Sequence, residues 1–219
     1  MKDYDKLWKS ESIELWTKGA FPKIKLKNIL NLIKKYDLNG DIIEIGCGDG
    51  HILESLDKPK NNLYALDLSK TAIQLTKKRA NIKKGFVADI SQKVNIKKKF
   101  DLVLCSEVIE HIKNERNALL EISKLVKENK YLLLTVPLWQ KYYLKKDISE
   151  GHFRRYNPCQ LIKAVEKLNF KNIEYYSYGG IFFRFIQRLP YNLVLCKKYK
   201  LIQEMRRFLY HLFKIEDAL

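Results

Sequence analysis

The stretch "IIEIGCGDGHIL", residues 42–53, runs from an apolar segment, interrupted by Glu44, into glycines at alternate positions, Gly46, Gly48 and Gly50. Glycine permits positive φ and lets other groups approach the backbone closely. A helix that starts directly behind such a turn offers unpaired N–H groups to an anionic or polar ligand. The stretch therefore reads as strand, ligand loop and helix start.

The flanking sequence extends the pattern. Upstream, "KIKLKNILNLIKKY" (23–36) sets Ile24, Leu26, Ile29, Leu30 and Ile33 on a helical stripe that ends near Asn39 and Gly40. Downstream, "NLYALDL" (62–68) reads as a second strand, and Ser69 is placed to cap the helix "KTAIQLTKKRA" (70–80). "KGFVADI" (84–90) and "FDLVLCSE" (100–107) read as the third and fourth strands, and "NERNALLEISKLVKE" (114–128) as an amphipathic helix. "KYLLLTVP" (130–137) is a fifth strand stopped by Pro137. A helix over 159–170 and strands over 172–180 and 191–198 follow. Continuous apolar strands alternating with helices imply a parallel sheet covered on both faces. The expected fold is an α/β, doubly wound, mostly parallel seven-stranded sheet. It fills one domain over 1–199, including an N-terminal helical cap. A basic amphipathic C-terminal helix over 200–219 extends it.

Ligands of such sheets bind at the carboxyl ends of the strands, near the switch point. Gly46, Gly48, Gly50, Asp67, Asp89, Ser106, Glu107 and His111 all fall at such ends. Two adenosine-type cofactors suit the glycine loop: a dinucleotide or S-adenosylmethionine. The dinucleotide pattern needs glycine or alanine at position 51, where this chain has His51. Asp67, ending the second strand, can accept both ribose hydroxyls of either cofactor.

Four segments in order, "EIGCGDG", "ALDLSKTAI", "ADI" and "FDLVLCSEVIEHI", resemble the motifs of the class I S-adenosylmethionine-dependent methyltransferases. The fourth is similar to that of the ubiquinone-type O-methyltransferases and their relatives. The resemblance covers roughly positions 10 to 180. It implies a Rossmann-like methyltransferase fold and a cofactor site of Glu44, Gly46, Cys47, Gly48 and Gly50 for the methionine end. Asp67 would take the ribose hydroxyls, Leu68 would lie beside the adenine, and Asp89 and Ile90 would meet its amine and ring. Ser106 and Glu107 complete the set. The implied chemistry is in-line transfer of a sulfonium methyl group, leaving S-adenosylhomocysteine. Alignment supplies most of the rate, and a base is needed only where the nucleophile loses a proton.

The acceptor side is expected in "SEVIEHI" (106–112) and "EGHFRRYNPCQL" (150–161). The spacing "VPLW…GHFRRY…L" resembles methyltransferases of bacterial and archaeal surface-glycan or lipid pathways. That resemblance points to a small-molecule, lipid-linked or glycan acceptor, methylated at oxygen. His111 is the first candidate for a general base, since a neutral imidazole near its ordinary pKa of ~6.5 takes a hydroxyl proton. His152 is the second catalytic candidate. A capping or hydrogen-bonded structural histidine remains the alternative for His111. Glu110, Arg154, Arg155 and Tyr156 are the substrate-binding candidates, the arginines through bidentate contact with a phosphate or carboxylate. For the arginines, salt bridges to nearby acids are the alternative.

Two other readings use the same residues. Glu107, Glu110, His111 and His152 can form a mixed O and N site for Mg²⁺ or Mn²⁺. This resembles the small-RNA 3′-terminal 2′-O-methyltransferases, although "TVPLWQKYY" lacks their proline-asparagine segment. The favoured assignment contains no metal, and nucleic acid is the less favoured partner. A non-catalytic adaptor that binds S-adenosylmethionine is the third reading, because fold does not establish function.

At 219 residues the chain is long enough to bury a core without disulfides. Its four cysteines form no CxxC pair and no secretory leader is read ahead of them, so free thiols in a reducing cytoplasm are expected. The formal net charge of +17 suits an anionic partner, although scattered solvated lysines account for much of it. No apolar run reaches the ~20 residues of a membrane span. In the tail, Leu201, Met205, Phe208 and Leu212 recur at helical spacing, widened by Ile202, Leu209 and Phe213. Lys200, Arg206, Arg207 and Lys214 surround them. Such a helix can lie in an anionic membrane interface, or pack on the domain as an ordinary amphipathic element. Peripheral membrane association, helped by the aromatic and basic segment over 182–188, is therefore added to the cytoplasmic expectation.

Overall fold

The computed structural model describes residues 4–8 and 20–177. Among them, five strands form one parallel sheet in the order β3-β2-β1-β4-β5. They are β1 (Gly40–Ile45), β2 (Asn61–Asp67), β3 (Ile82–Val87), β4 (Phe100–Ser106) and β5 (Val126–Thr135). The helices are α1 (Tyr4–Leu7), α2 (Ala20–Lys35), α3 (His51–Leu56), α4 (Lys70–Arg79), α5 (Glu115–Leu125), α6 (Lys145–Glu150) and α7 (Pro158–Glu166). Residues 4–8 and 33–173 belong to one compact unit, which holds the sheet; residues 20–32 and 174–177 fall in a second. No helix among the described residues is long and apolar enough to cross a membrane.

The central strands explain the order. In β4, Phe100, Leu102, Val103, Leu104 and Cys105 are all buried, as are Ile42, Ile43 and Ile45 in β1. Strands apolar on both faces must sit in the middle, where helices cover each side. β3 carries the exposed Lys83 and Lys84 and lies at an edge, where charge discourages further pairing. Phe100, Ile109, Ala118, Leu119, Ile122 and Leu125 join β4 to α5 in the main core. Emptying the Phe100 site would cost ~3–5 kcal/mol.

Helix starts follow local chemistry. Ser69 caps α4 by accepting from the Ala72 N–H at 3.1 Å, as its position predicts. Asn114 caps α5, and Asn157 caps α7 with Pro158 at the first turn. Three expectations shift. The helix expected over 114–128 stops at Leu125, because Val126 pairs with Phe100 and begins β5. The third strand begins at Ile82 and ends at Val87. The strand expected over 172–180 is absent from 172–177: Asn172 turns into the left-handed region (φ 54°), and Tyr176 bonds locally to Glu174. Among the described residues, five strands therefore stand where six were expected to begin. The strand expected over 191–198, the segment 182–188 and the helix expected over 200–219 lie outside them.

The reversal of strand order lies between β1 and β4, since β2 and β3 stack on one side and β5 on the other. Their carboxyl ends open the crevice where such sheets bind ligands.

Candidate active site

The glycine loop leaves β1 at this crevice. Gly46 adopts φ 69°, and a Cβ there would collide with the Val108 side chain from the β4 loop. Gly48 adopts φ 56° and would place a Cβ 2.5 Å from the Trp8 ring. Both positions thus exclude a side chain by conformation and by space. The loop is tied to the second strand. Gly46 N–H donates to the Leu66 carbonyl at 2.7 Å, and Gly48 N–H to Asp67 Oδ2 at 3.0 Å. Asp67 Oδ1 accepts from Ser69 N–H at 2.8 Å. Burial raises the Asp67 pKa, opposed by these backbone N–H groups.

His51 has a local role that a glycine would lack. Its Nδ1 lies 3.0 Å from Asp49 Oδ1, and Arg79 reaches the other oxygen of the same buried carboxylate. Cys47 is buried in the loop, with its thiol pushed up by burial and by Asp67 and Glu44, so it stays neutral. Glu44 is buried within β1. Leu68, just past the end of β2, is 40% exposed. Asp89 accepts from Ser91 N–H at 2.8 Å beyond β3, while Ile90 belongs to the core.

Beyond β4 the chain turns sharply at Glu107, a non-glycine residue with φ 56°. Thr135, at the end of β5, donates to Glu107 Oε1 at 3.0 Å, and Ser106 Oγ lies 3.0 Å from the Thr135 hydroxyl. A 3-10 turn, Ile109–His111, then carries Glu110 and His111. Glu110 is completely buried, and its carbonyl accepts from Phe153 N–H at 2.7 Å. That bond ties the "GHFRRY" segment to the β4 loop. Residues 137–139 are tied to it as well: Tyr156 N–H donates to the Pro137 carbonyl at 2.9 Å and Trp139 N–H to the Tyr156 carbonyl at 2.7 Å.

The two candidate histidines meet edge to face, with ring centroids 4.6 Å apart. Ligand atoms of Glu110, His111 and His152 lie within 4.8 Å of one another. Glu107, the fourth member expected for a metal site, is outside this group and engaged by Thr135. His152 is held from behind. Its Nδ1 is 2.9 Å from Asp147 Oδ1, and Tyr143 donates to its carbonyl at 2.6 Å. Asp147 also receives Arg155 Nε at 2.8 Å, Arg155 Nη2 at 3.0 Å and Leu144 N–H at 2.7 Å. Burial opposes the charge on Asp147, yet His152 and Arg155 hold its carboxyl well below the usual range.

Both arginines are already engaged by protein groups. Arg155 forks onto Asp147; Arg154 pairs with Glu115 at 2.6 Å and donates to the Lys113 carbonyl at 2.9 Å. Tyr156 is buried and donates to Glu115 at 2.8 Å, and burial together with that carboxylate pushes its pKa up. All three are thus held in place by internal pairs. Asp147, Thr135 and Glu115 were not singled out by sequence. The only trace of Asp147 is its place five residues before His152, a spacing with no motif behind it.

A methyltransferase-domain family model matches residues 18–175. The ubiquinone biosynthesis O-methyltransferase of Rickettsia bellii is 30% identical over 128 residues, covering 55% of this chain and 53% of that protein. The mitochondrial ubiquinone biosynthesis O-methyltransferase of Schizosaccharomyces pombe is 31% identical over 100 residues, covering 43% and 36%. The chain spans about half the length or less of these curated relatives. Among solved structures, the N-methyltransferase NodS of Bradyrhizobium japonicum, in complex with S-adenosylhomocysteine, superposes with a TM-score of 0.61. It has 18% identity, and the match covers 76% of this chain and 86% of that one. Magnesium protoporphyrin IX methyltransferase of Synechocystis, with bound S-adenosylmethionine, gives 0.52 at 16% identity, covering 67% and 68%. At these identities the structural likeness speaks for the fold.

Proposed function

The chain belongs to the class I S-adenosylmethionine-dependent methyltransferases, and from that premise we propose that it methylates an oxygen of a small-molecule, lipid-linked or glycan acceptor. One observation carries the reading: His111 and His152 meet edge to face at 4.6 Å beside buried Glu110, in the turn that follows β4. In the proposed step, the acceptor oxygen bonds to the sulfonium methyl carbon as the carbon–sulfur bond breaks. S-adenosylhomocysteine leaves, and the hydroxyl proton passes to an imidazole. The O-methyltransferase names of the curated relatives support an oxygen acceptor.

Cofactor contact is proposed for the loop residues, Asp67, Leu68, Asp89, Ile90, Ser106 and Glu107, and acceptor contact for Glu110, Arg154, Arg155 and Tyr156. Attachment to an anionic lipid surface through residues 200–219 belongs to the same proposal, since it would bring the crevice to an amphiphilic acceptor. The test is methyl transfer from labelled S-adenosylmethionine to a panel holding a polyprenylated phenol, a lipid-linked sugar and a short RNA. Label on a hydroxyl of the first two supports the reading; label on RNA alone overturns it.

The histidine pair also favours a second reading. One carboxylate and two imidazoles converge here, and the outer nitrogen of His152 is carried by Asp147, as is usual for metal-bound histidine. The donor set fits a divalent cation held by Glu110, His111 and His152. Such an ion would supply a Lewis acid for the acceptor oxygen. Turnover abolished by a chelator and restored by Mn²⁺ distinguishes this reading from a metal-free base.

A further inference from the structure

Two residues of α4, Thr76 and Arg79, meet the glycine loop, and neither belongs to a motif. They are three positions apart, the spacing that sets two side chains on one face of a helix. Thr76 is fully buried, and its hydroxyl donates to the Gly48 carbonyl at 3.2 Å. The backbone of the same residue approaches Gly50 so closely that a Cβ there would stand 2.8 Å from Thr76 Cα. Arg79 pairs with Asp49 through one nitrogen and with the exposed Glu54 through another at 3.4 Å. Residues 48, 49 and 50 of the loop are thus each met by α4.

Asp49 keeps only 4% of its surface exposed. Its Oδ1 accepts from His51 N–H at 3.2 Å and lies 3.0 Å from His51 Nδ1, while Oδ2 takes Arg79. Burial opposes the charge on Asp49, yet His51 and Arg79 hold its carboxyl below the usual range. Removing one partner of such a carboxylate leaves a buried charge that must be rehydrated or neutralised. Rehydration would draw Asp49 outward. Gly48 and Gly50 flank it, at φ 56° and 82°, and are the joints about which the loop would yield.

We propose that Arg79 and Asp49 are positioning residues of the cofactor site, whose buried ion pair holds the glycine loop in the shape that receives the methionine end of S-adenosylmethionine. They act through the backbone of residues 46–50 and through no contact of their own with the cofactor. The inference rests on the assignment of those residues as the cofactor loop. Asp67, assigned to the ribose, is tied to the loop through Gly48 N–H, a bond that does not involve Arg79.

The test uses the full chain and two probes in calorimetry. S-adenosylhomocysteine carries the amino-acid end, and 5′-methylthioadenosine lacks it. Arg79→Met keeps a long side chain and removes its charge. It should weaken S-adenosylhomocysteine about tenfold, equivalent to about 1.4 kcal/mol, and leave 5′-methylthioadenosine within about twofold. Asp49→Asn should split the two probes in the same direction. The double variant should lose no more than the weaker-binding single one, because the pair acts as one unit. Arg79→Lys should recover part of the loss, and it decides between the probes in the same way where denaturant unfolding finds Arg79→Met unfolded. Equal weakening of both probes would make the pair merely structural and overturn the proposal, as would wild-type affinity for both. Failure of the wild-type chain to bind S-adenosylhomocysteine would overturn the cofactor assignment, and the proposal with it.

Discussion

His152 Nδ1 lies 2.9 Å from Oδ1 of Asp147, a carboxylate with 1% of its surface exposed. The same carboxylate takes two nitrogens of Arg155, so one buried acid positions both a candidate catalytic histidine and Arg155. Removing it leaves a buried guanidinium and an imidazole without their acceptor. Asp147→Ala should destabilise the fold by ~3–5 kcal/mol, the usual cost of breaking one side of a buried pair. Denaturant unfolding measures this, and a loss below about 1 kcal/mol would show that Arg155 repacks onto another group.

Asp67 links the loop and the second strand through Gly48 and Ser69. Asp67→Ala should weaken S-adenosylmethionine binding at least tenfold, since hydrogen bonds to a charged acceptor contribute ~1.5–3 kcal/mol. Isothermal titration reads the change. Unaltered affinity would remove Asp67 from the cofactor site.

His111→Ala should lower turnover by ~10²–10⁴ while cofactor affinity stays within a few fold, if the imidazole takes the acceptor proton. Near-wild-type turnover would mean that alignment alone suffices. Single-turnover kinetics on the acceptor identified in the panel separates the transfer step from binding.

Acid should loosen the opposite end of the sheet. Asp101 accepts from Asp41 N–H at 3.0 Å and pairs with Lys127 at 2.8 Å. Burial pushes its carboxyl up, but Lys127, the Asp41 N–H and Lys130 outweigh this and hold it at about 2. An unfolded aspartate titrates near ~3.9. The folded pKa is depressed, so this stability is present above the unfolded value and is lost as pH falls through about 4 towards 2. Asp101→Asn should flatten the decline in unfolding free energy over that window. An identical slope in the variant would assign the acid sensitivity to other carboxylates.

The tail should matter only where lipid is present. Full-length protein should float with anionic liposomes at low salt and less at high salt, while a chain ending at Lys200 should stay in solution. Equal flotation after the deletion would assign the lipid contact to another surface.

Sequence by itself determined the five parallel strands and the turns of the glycine loop. Apolar runs such as "FDLVLCS" cannot face water on either side, and Gly46 and Gly48 need a left-handed backbone that other residues rarely adopt. Such requirements are local, so they are legible in a few consecutive residues. The side expected to meet the acceptor was legible only as a set of names: His111, His152 and the two arginines. That the histidines meet, that Arg155 is spent on Asp147, and that Trp8 packs on Gly48 were decided by tertiary structure. Each joins side chains from different segments: 41 residues separate His111 from His152, and 40 separate Trp8 from Gly48. No spacing rule carries such contacts, because the sheet between them sets the distance.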